Sequence, residues 1–126
     1  MATTIPLILA ALMAAAIIVI GSFYLLAPQK MTPSFGLKPP ASDPDTRAWL
    51  RLKGVRDIAS GLVVLTLMLA TDPRTAGIAL LVLAIVAFGD MSVILVSGGS
   101  KSTAFSVHGV TCAAMVVTSL FLIKVI

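Results

Sequence analysis

Residues 5–26, IPLILAALMAAAIIVIGSFYLL, form a run of 22 residues without a charge. At 1.5 Å per residue, a helix of this length crosses the roughly 30 Å hydrocarbon core of a bilayer. A secretory signal is the alternative, but the preceding residues 1–4 carry no positive side chain and the run exceeds the apolar part of a signal. We therefore interpret residues 5–26 as a first membrane span.

Three further apolar runs follow and predict an all-α fold, an integral membrane four-helix bundle forming one domain over residues 1–126. Helix starts are marked by polar residues. The second helix is expected to begin near Asp45 and Thr46, and Asp72 with Pro73 suits the start of the third. The predicted spans are approximately 5–26, 46–70, 74–97 and 104–126.

Composition supports a membrane protein. Of the 126 residues 59% are hydrophobic and 11% charged, against roughly 45–50% and about 25% in soluble domains. The net charge of +4 does not suggest nucleic acid, because the basic residues crowd beside an apolar span, where topology and lipid headgroups explain them. The expected partner is the lipid bilayer, and whether the protein forms a homo-oligomer is left open. The single cysteine, Cys112, excludes an intrachain disulfide and a cysteine-rich metal site.

The basic residues predict the orientation. With four spans, the first and third loops lie on one side together, and positive loops face the cytoplasm. Both termini are therefore expected on the non-cytoplasmic side, in the endoplasmic reticulum of a eukaryote or the inner membrane of a bacterium. The opposite side holds Arg74 and Lys124. The cytoplasmic side holds seven of the nine basic residues: Lys30, Lys38, Arg47, Arg51, Lys53, Arg56 and Lys101.

Residues 27–44 separate the first two helices and contain five of the seven prolines. Proline opposes helix, whereas Phe35 and Leu37 are apolar enough to dock on one. Long connections in compact domains are often covers or linkers. We expect this segment to cover the cytoplasmic mouth of the bundle.

Ionisable residues inside the predicted spans mark the candidate site, because each costs at least about 2.5–3.5 kcal/mol at a helix centre. They are Arg56 with Asp57, Asp90 and His108, all near the cytoplasmic leaflet. Asp57 shares a helix face with Gly54 and Gly61, and small residues mark faces where membrane helices approach closely. Asp57 is therefore expected to point into the bundle.

Further residues are expected to bind a substrate in the same place. Trp49 is also a candidate interfacial anchor. His108 heads a stripe with the spacing of one helix face, which includes Thr111 and Met115. We expect no metal and no cofactor. The candidate substrate-binding residues are Tyr24, Trp49, Ser60, Thr111 and Met115.

Two carboxylates, one guanidinium and one imidazole in a dry cavity are an acid–base set. An aspartate paired with Arg56 stays ionised and activates water, while one kept protonated by burial donates a proton. The predicted function is an intramembrane hydrolase, cyclase or isomerase that opens an epoxide or isomerises a lipophilic molecule, with Asp57, Asp90, Arg56 and His108 as catalytic residues. An accessory protein or a small proton-coupled transporter is the alternative. In the accessory case Arg56 is a structural ion partner and His108 bonds a backbone carbonyl.

The sequence also resembles a family of small four-span membrane proteins of unknown function, with fungal and bacterial members and a loose similarity to DoxX-type bundles. The resemblance rests on Lys53-Gly54-Val55-Arg56-Asp57, followed by Gly89-Asp90 and His108-Gly109. It implies a four-helix bundle over nearly the whole chain. Fungal relatives encoded beside polyketide or terpenoid biosynthesis imply a metabolite of that kind as substrate.

Overall fold

The structure is a computed structural model that describes residues 3–124 and 126. Within that part it contains five helices and no strand, which confirms the all-α prediction. A short 3₁₀ turn, Thr32–Ser34, follows the second helix. The helices are α1 (Thr4–Leu26), α2 (Pro28–Met31), α3 (Pro44–Ala70), α4 (Pro73–Val96) and α5 (Lys101–Ile123).

The helix boundaries differ slightly from the predicted ones. The helix α3 begins at Pro44 rather than near Asp45 and Thr46, because Asp43 is the capping residue and its Oδ1 accepts a hydrogen bond from Thr46 N at 2.9 Å. The helix α5 begins at Lys101 and ends at Ile123, three residues earlier at each end than the predicted span 104–126. Val125, which that span includes, lies outside the described residues.

Three helices in the described part of the chain, α1, α4 and α5, are long and apolar enough to cross a membrane. The protein is therefore an all-α membrane protein. The helix α3 is as long as the others but more polar, because Arg47, Arg51, Lys53 and Arg56 occupy its first half. Its second half, from Ile58 onward, carries no charged residue.

The bundle consists of two closely packed pairs, α1 with α3 and α4 with α5. Glycine allows the first pair to approach. A Cβ atom on Gly54 would lie 2.5 Å from the carbonyl oxygen of Gly21, and one on Gly61 would lie 2.6 Å from that of Ala14. Close approach through small residues is typical of membrane helices. Asp57, between these glycines on the same face, is buried as predicted.

The loops meet in two groups at opposite ends of the bundle. At one end Ser100 N donates a hydrogen bond to the Gly36 carbonyl oxygen at 2.8 Å, which joins the first and third connections. At the other end Thr3, Asp72, Arg74 and Lys124 line one shallow depression. Each long helix therefore runs from one end of the bundle to the other.

The helix α5 is irregular near its start. Lys101–Thr103 is α-helical, Ala104–Gly109 is π-helical, and Val110–Ile123 is α-helical again. A π-helical turn is rare and occurs frequently at functional sites. His108 lies in this turn.

Candidate functional site

A cavity of about 230 Å³ lies between the helices, and all five helices contribute to its wall. Its two ends differ in chemistry. The end beneath residues 31–35 carries the ionisable side chains, whereas the interior wall includes Met13, Val64, Leu80 and Leu83. The residues on the polar end are Tyr24, Ser34, Phe35, Lys53, Asp57, Asp90 and His108.

Lys53 and Asp57 form an ion pair at the polar end. The Lys53 Nζ atom donates a hydrogen bond to Asp57 Oδ2 at 2.6 Å, with 30% of the lysine side chain and 11% of the aspartate side chain exposed. The two residues are four positions apart on α3, the spacing at which helical side chains meet. Asp57 is therefore paired with a cation of its own helix.

The Lys53 ammonium also lies over two aromatic rings. Its Nζ is 4.4 Å from the centre of the Tyr24 ring and 5.3 Å from that of Phe35. Both distances are within the range of a cation–π interaction. These contacts fix the ammonium between α1, α3 and the segment that follows α2.

Asp90 and His108 form the second pair. His108 Nδ1 lies 3.7 Å from Asp90 Oδ2, and His108 Nε2 lies 3.1 Å from the Phe35 carbonyl oxygen. A carbonyl oxygen only accepts hydrogen bonds, so Nε2 must carry a proton. Asp90 and His108 thus lie within ion-pair distance of each other but beyond the distance of a direct hydrogen bond.

The segment before α3 covers this end of the cavity. We define the cover segment as residues 27–43. Met31, Ser34 and Phe35 line the cavity, and the Phe35 ring stacks on the His108 ring at 4.7 Å between centroids. Leu37 is half-buried. The prediction that Phe35 and Leu37 dock on the bundle agrees with this arrangement.

Most of the predicted site residues meet in this cavity. Asp57 and Asp90 contribute the two carboxyl groups, from α3 and α4, and His108 contributes the imidazole from α5. Of the substrate-binding candidates, four line the same wall: Tyr24, Ser60, Thr111 and Met115.

Two predicted site residues lie elsewhere. Arg56 is exposed, lines no part of the cavity and pairs with none of the described carboxylates, so the expected pairing of Arg56 with an aspartate is wrong. Neighbouring side chains on a helix point about 100° apart, and burying Asp57 turns Arg56 outward. Trp49 is 70% exposed and also lies outside the cavity, on the outer face of α3.

Three residues of the polar end were not among the predicted site residues: Ser34, Phe35 and Lys53. Lys53 replaces Arg56 as the partner of Asp57, and its position four residues before Asp57 was the available signal. Phe35 supplies a ring to Lys53 and His108 and a carbonyl oxygen to His108. That role depends on the path of the loop. The sequence contained no indication of this path except that Phe35 is apolar.

No curated protein and no solved structure matches the chain. A family model matches residues 14–122, which include α3 and α4 in full, the second half of α1, α5 as far as Leu122 and the residues of the polar end of the cavity. The family has no assigned activity. The chain belongs to the family described as Domain of unknown function (DUF4267).

Proposed function

We propose that this protein is an intramembrane acid–base enzyme acting on a small lipophilic molecule. The observation that carries the proposal is the convergence of two carboxyl groups, each with a different basic partner, at the polar end of an otherwise apolar cavity. Catalysis by proton transfer requires one group that gives a proton and another that takes one. Different partners are a means of holding two aspartates in these opposite states.

Asp57 is the proposed base. Its carboxyl group accepts a hydrogen bond from the Lys53 ammonium at 2.6 Å, and the side chain faces the cavity. Lys53 takes the role first expected of Arg56. Asp57 would orient a water molecule and accept its proton as the oxygen attacks the substrate.

Asp90 is the proposed acid. His108 Nδ1 lies next to its carboxyl group and can return a proton after each cycle. In epoxide opening, the Asp90 proton passes to the epoxide oxygen as one carbon–oxygen bond breaks, and water attacks the freed carbon while Asp57 takes its proton. One epoxide and one water give one diol, and proton exchange with solvent restores both aspartates.

The proposal also includes the class of substrate and the arrangement of the chain in the membrane. The substrate is a polyketide- or terpenoid-like metabolite, and isomerisation would use the same two carboxyl groups without water. The helix α3 forms a fourth span, both termini are non-cytoplasmic, and the membrane is the endoplasmic reticulum or the bacterial inner membrane. The similarity to DoxX-type bundles stays a prediction, and so does the formation of a homo-oligomer.

The test is turnover by purified protein in lipid nanodiscs. Terpenoid epoxides are supplied in water labelled with oxygen-18, and diols and isomers are measured by mass spectrometry. We expect one labelled oxygen in the diol, and a fall of roughly 10²-fold or more in Asp57→Asn and in Asp90→Asn, the scale of acid–base assistance. Arg56→Gln is the matched control on the exposed neighbour and should retain full turnover.

Each alternative gives a different result. Full turnover in the Asp57→Asn, Asp90→Asn double variant contradicts acid–base catalysis by these residues. An accessory role instead predicts no turnover by the wild type and loss of folded protein in both single variants. A transporter predicts substrate uptake into proteoliposomes without chemical change.

A further inference from the structure

The cavity is narrow and has one polar end. Along α4 it extends from Asp90 to Leu80, ten residues and therefore about 15 Å, half of the roughly 30 Å hydrocarbon core. Its volume of about 230 Å³ is below the 300–1,000 Å³ typical of pockets for drug-sized ligands. Such a space fits a single chain better than a two-chain lipid.

Each carboxyl group at the polar end already has a basic partner. Lys53 neutralises Asp57 at 2.6 Å. Asp90 faces the ring of His108, with 3.7 Å between His108 Nδ1 and Asp90 Oδ2, so the second carboxyl group also has a basic partner within ion-pair distance. Tyr24 is the remaining titratable side chain on the described wall and is neutral as a phenol. A charged headgroup would therefore be left uncompensated, which is costly in a low-dielectric site.

The cavity also reaches the outer surface of the bundle. Ile20, Val86 and Val107 line the cavity and are 39%, 55% and 50% exposed. These side chains belong to α1, α4 and α5, the three helices whose outer faces are the most apolar. In a membrane protein, an opening edged by exposed isoleucine and valine communicates with lipid rather than water.

We propose that the cavity binds a single-chain amphiphile with an uncharged oxygen headgroup, such as a hydroxyl, carbonyl or epoxide, which enters from the bilayer. The headgroup lies at Lys53, Asp57 and Asp90, and the chain runs along α4 toward Leu80 and Met115. This inference deepens the proposed function by naming its substrate class. Binding of an alcohol, however, requires no catalysis.

The probe is decanol that carries a diazirine at the far end of its chain, added to the protein in phosphatidylcholine nanodiscs. After irradiation, the modified residues are mapped by mass spectrometry. We expect saturable labelling near Leu80 and Leu83. Unlabelled decanol should compete at least about tenfold better than decanoate or decylammonium at the same mole fraction in the membrane, because burial of an unpaired charge is costly.

Two substitutions of similar size on α4 provide the control. Leu83→Trp fills the cavity and should lower labelling at least about tenfold, whereas Ile85→Trp, on the exposed face, should leave it unchanged. If Leu83→Trp fails to fold, Met115→Trp blocks the same space from α5. Labelling that does not saturate, that survives both cavity substitutions, or that decanoate suppresses as well as decanol overturns the inference.

The two proposals fail separately. Saturable decanol labelling without turnover of any epoxide contradicts the enzymatic function and supports the binding inference. Turnover that is sensitive to Asp90→Asn, together with non-saturable labelling, supports the enzyme and overturns the orientation proposed for its substrate.

Discussion

Lys53 and Asp57 are the residue pair on which both stability and function are expected to depend. A partly buried ion pair is worth little beyond an apolar pair of the same size, but removal of one partner leaves an uncompensated charge. We predict that Asp57→Asn lowers the free energy of unfolding by roughly 1–3 kcal/mol. Arg56→Gln, on the exposed side, should change it by less than about 0.5 kcal/mol. Reversible denaturation in detergent measures both.

A double substitution separates the structural role of this pair from the catalytic one. We predict that Lys53→Met with Asp57→Leu restores most of the stability lost in Asp57→Asn, because the cavity then contains no unpaired charge. Turnover should stay abolished. A double variant that regains activity along with stability would mean that the pair only holds the bundle together.

The sequence singled out most of the ionisable residues that line this cavity but not their pairings. Asp57, Asp90 and His108 stood out because ionisable residues are rare inside apolar runs. The partner of Asp57 was predicted incorrectly, since adjacency in sequence favoured Arg56, whereas helix geometry brings Lys53 to it. The periodicity of a sequence shows which residues share a helix face. Contacts between helices also depend on how each helix is rotated about its own axis, which periodicity does not determine.

At the scale of the element, the contact between α1 and α3 depends on the absence of side chains. A Cβ atom on Gly54 would lie 2.5 Å from Gly21 O and 2.9 Å from Leu25 N, both backbone atoms that move only with the helix. We predict that Gly54→Ala destabilises the protein by roughly 1–3 kcal/mol, as overpacking does. Gly89→Ala is the matched control, because nothing lies within 4 Å of its Cβ position. It should be neutral or stabilise by up to about 1 kcal/mol. Thermal denaturation of the two variants compares them directly.

The starts of α3 and α4 depend on capping aspartates outside the spans. Hydrogen bonds from the Thr75 hydroxyl and from the backbone N–H groups of Thr75 and Arg74 lower the pKa of Asp72 below its usual value. Thr46 lowers the pKa of Asp43 in the same way. A carboxylate with a lowered pKa stabilises the fold above its unfolded pKa of about 3.9, and this contribution is lost as the pH falls through the folded pKa.

The pH dependence of stability tests this capping role. We predict that the melting temperature of the wild type falls below about pH 4. Asp72→Asn should show a smaller fall, because asparagine caps a helix without titrating. Asp45→Asn, an exposed position in the first turn of α3, is the control and should follow the wild type. An identical fall in all three proteins would show that Asp72 contributes nothing to the acid transition.

The cover segment and the π-helical turn depend on each other through His108. We predict that His108→Ala increases amide hydrogen exchange over residues 34–37, because it removes the ring against Phe35 and the donor to its carbonyl oxygen. Thr111→Val, whose hydroxyl bonds only the Val107 carbonyl of its own helix, is the control. Unchanged exchange in His108→Ala would show that other contacts, such as the hydrogen bond between Ser100 and Gly36 and the contact of Lys53 with Phe35, hold the cover without His108. The π-helical turn itself was not predicted, since its extra residue per turn leaves no mark on the apolar pattern.

At the scale of the whole molecule, the apolar runs were sufficient to predict an all-α membrane protein, because only a helix pairs the backbone of such a run internally. They were not sufficient to assign α3. Its polar first half excludes it from the helices that are apolar enough to span a membrane. Whether α3 spans must therefore be judged from its position in the bundle. Gly36 and Ser100 meet at one end, while Asp72 lies with Thr3 at the other. The helix α3 therefore covers the same distance along the bundle as α1.

This arrangement makes a specific prediction about topology. With seven basic residues at the Gly36 end and two at the Thr3 end, the first end should face the cytoplasm. In a Cys112→Ala background, we expect a membrane-impermeant maleimide to label Thr3→Cys and Thr71→Cys in intact cells or sealed vesicles from the non-cytoplasmic side. Pro39→Cys should be labelled only after permeabilisation. The Thr71 position decides whether α3 spans: labelling of Thr71→Cys from the same side as Pro39→Cys would make α3 an interfacial helix and leave three spans. That result would also place the pair of Lys53 and Asp57 in the headgroup region, where water has access, and would remove the dry environment on which the acid–base proposal depends.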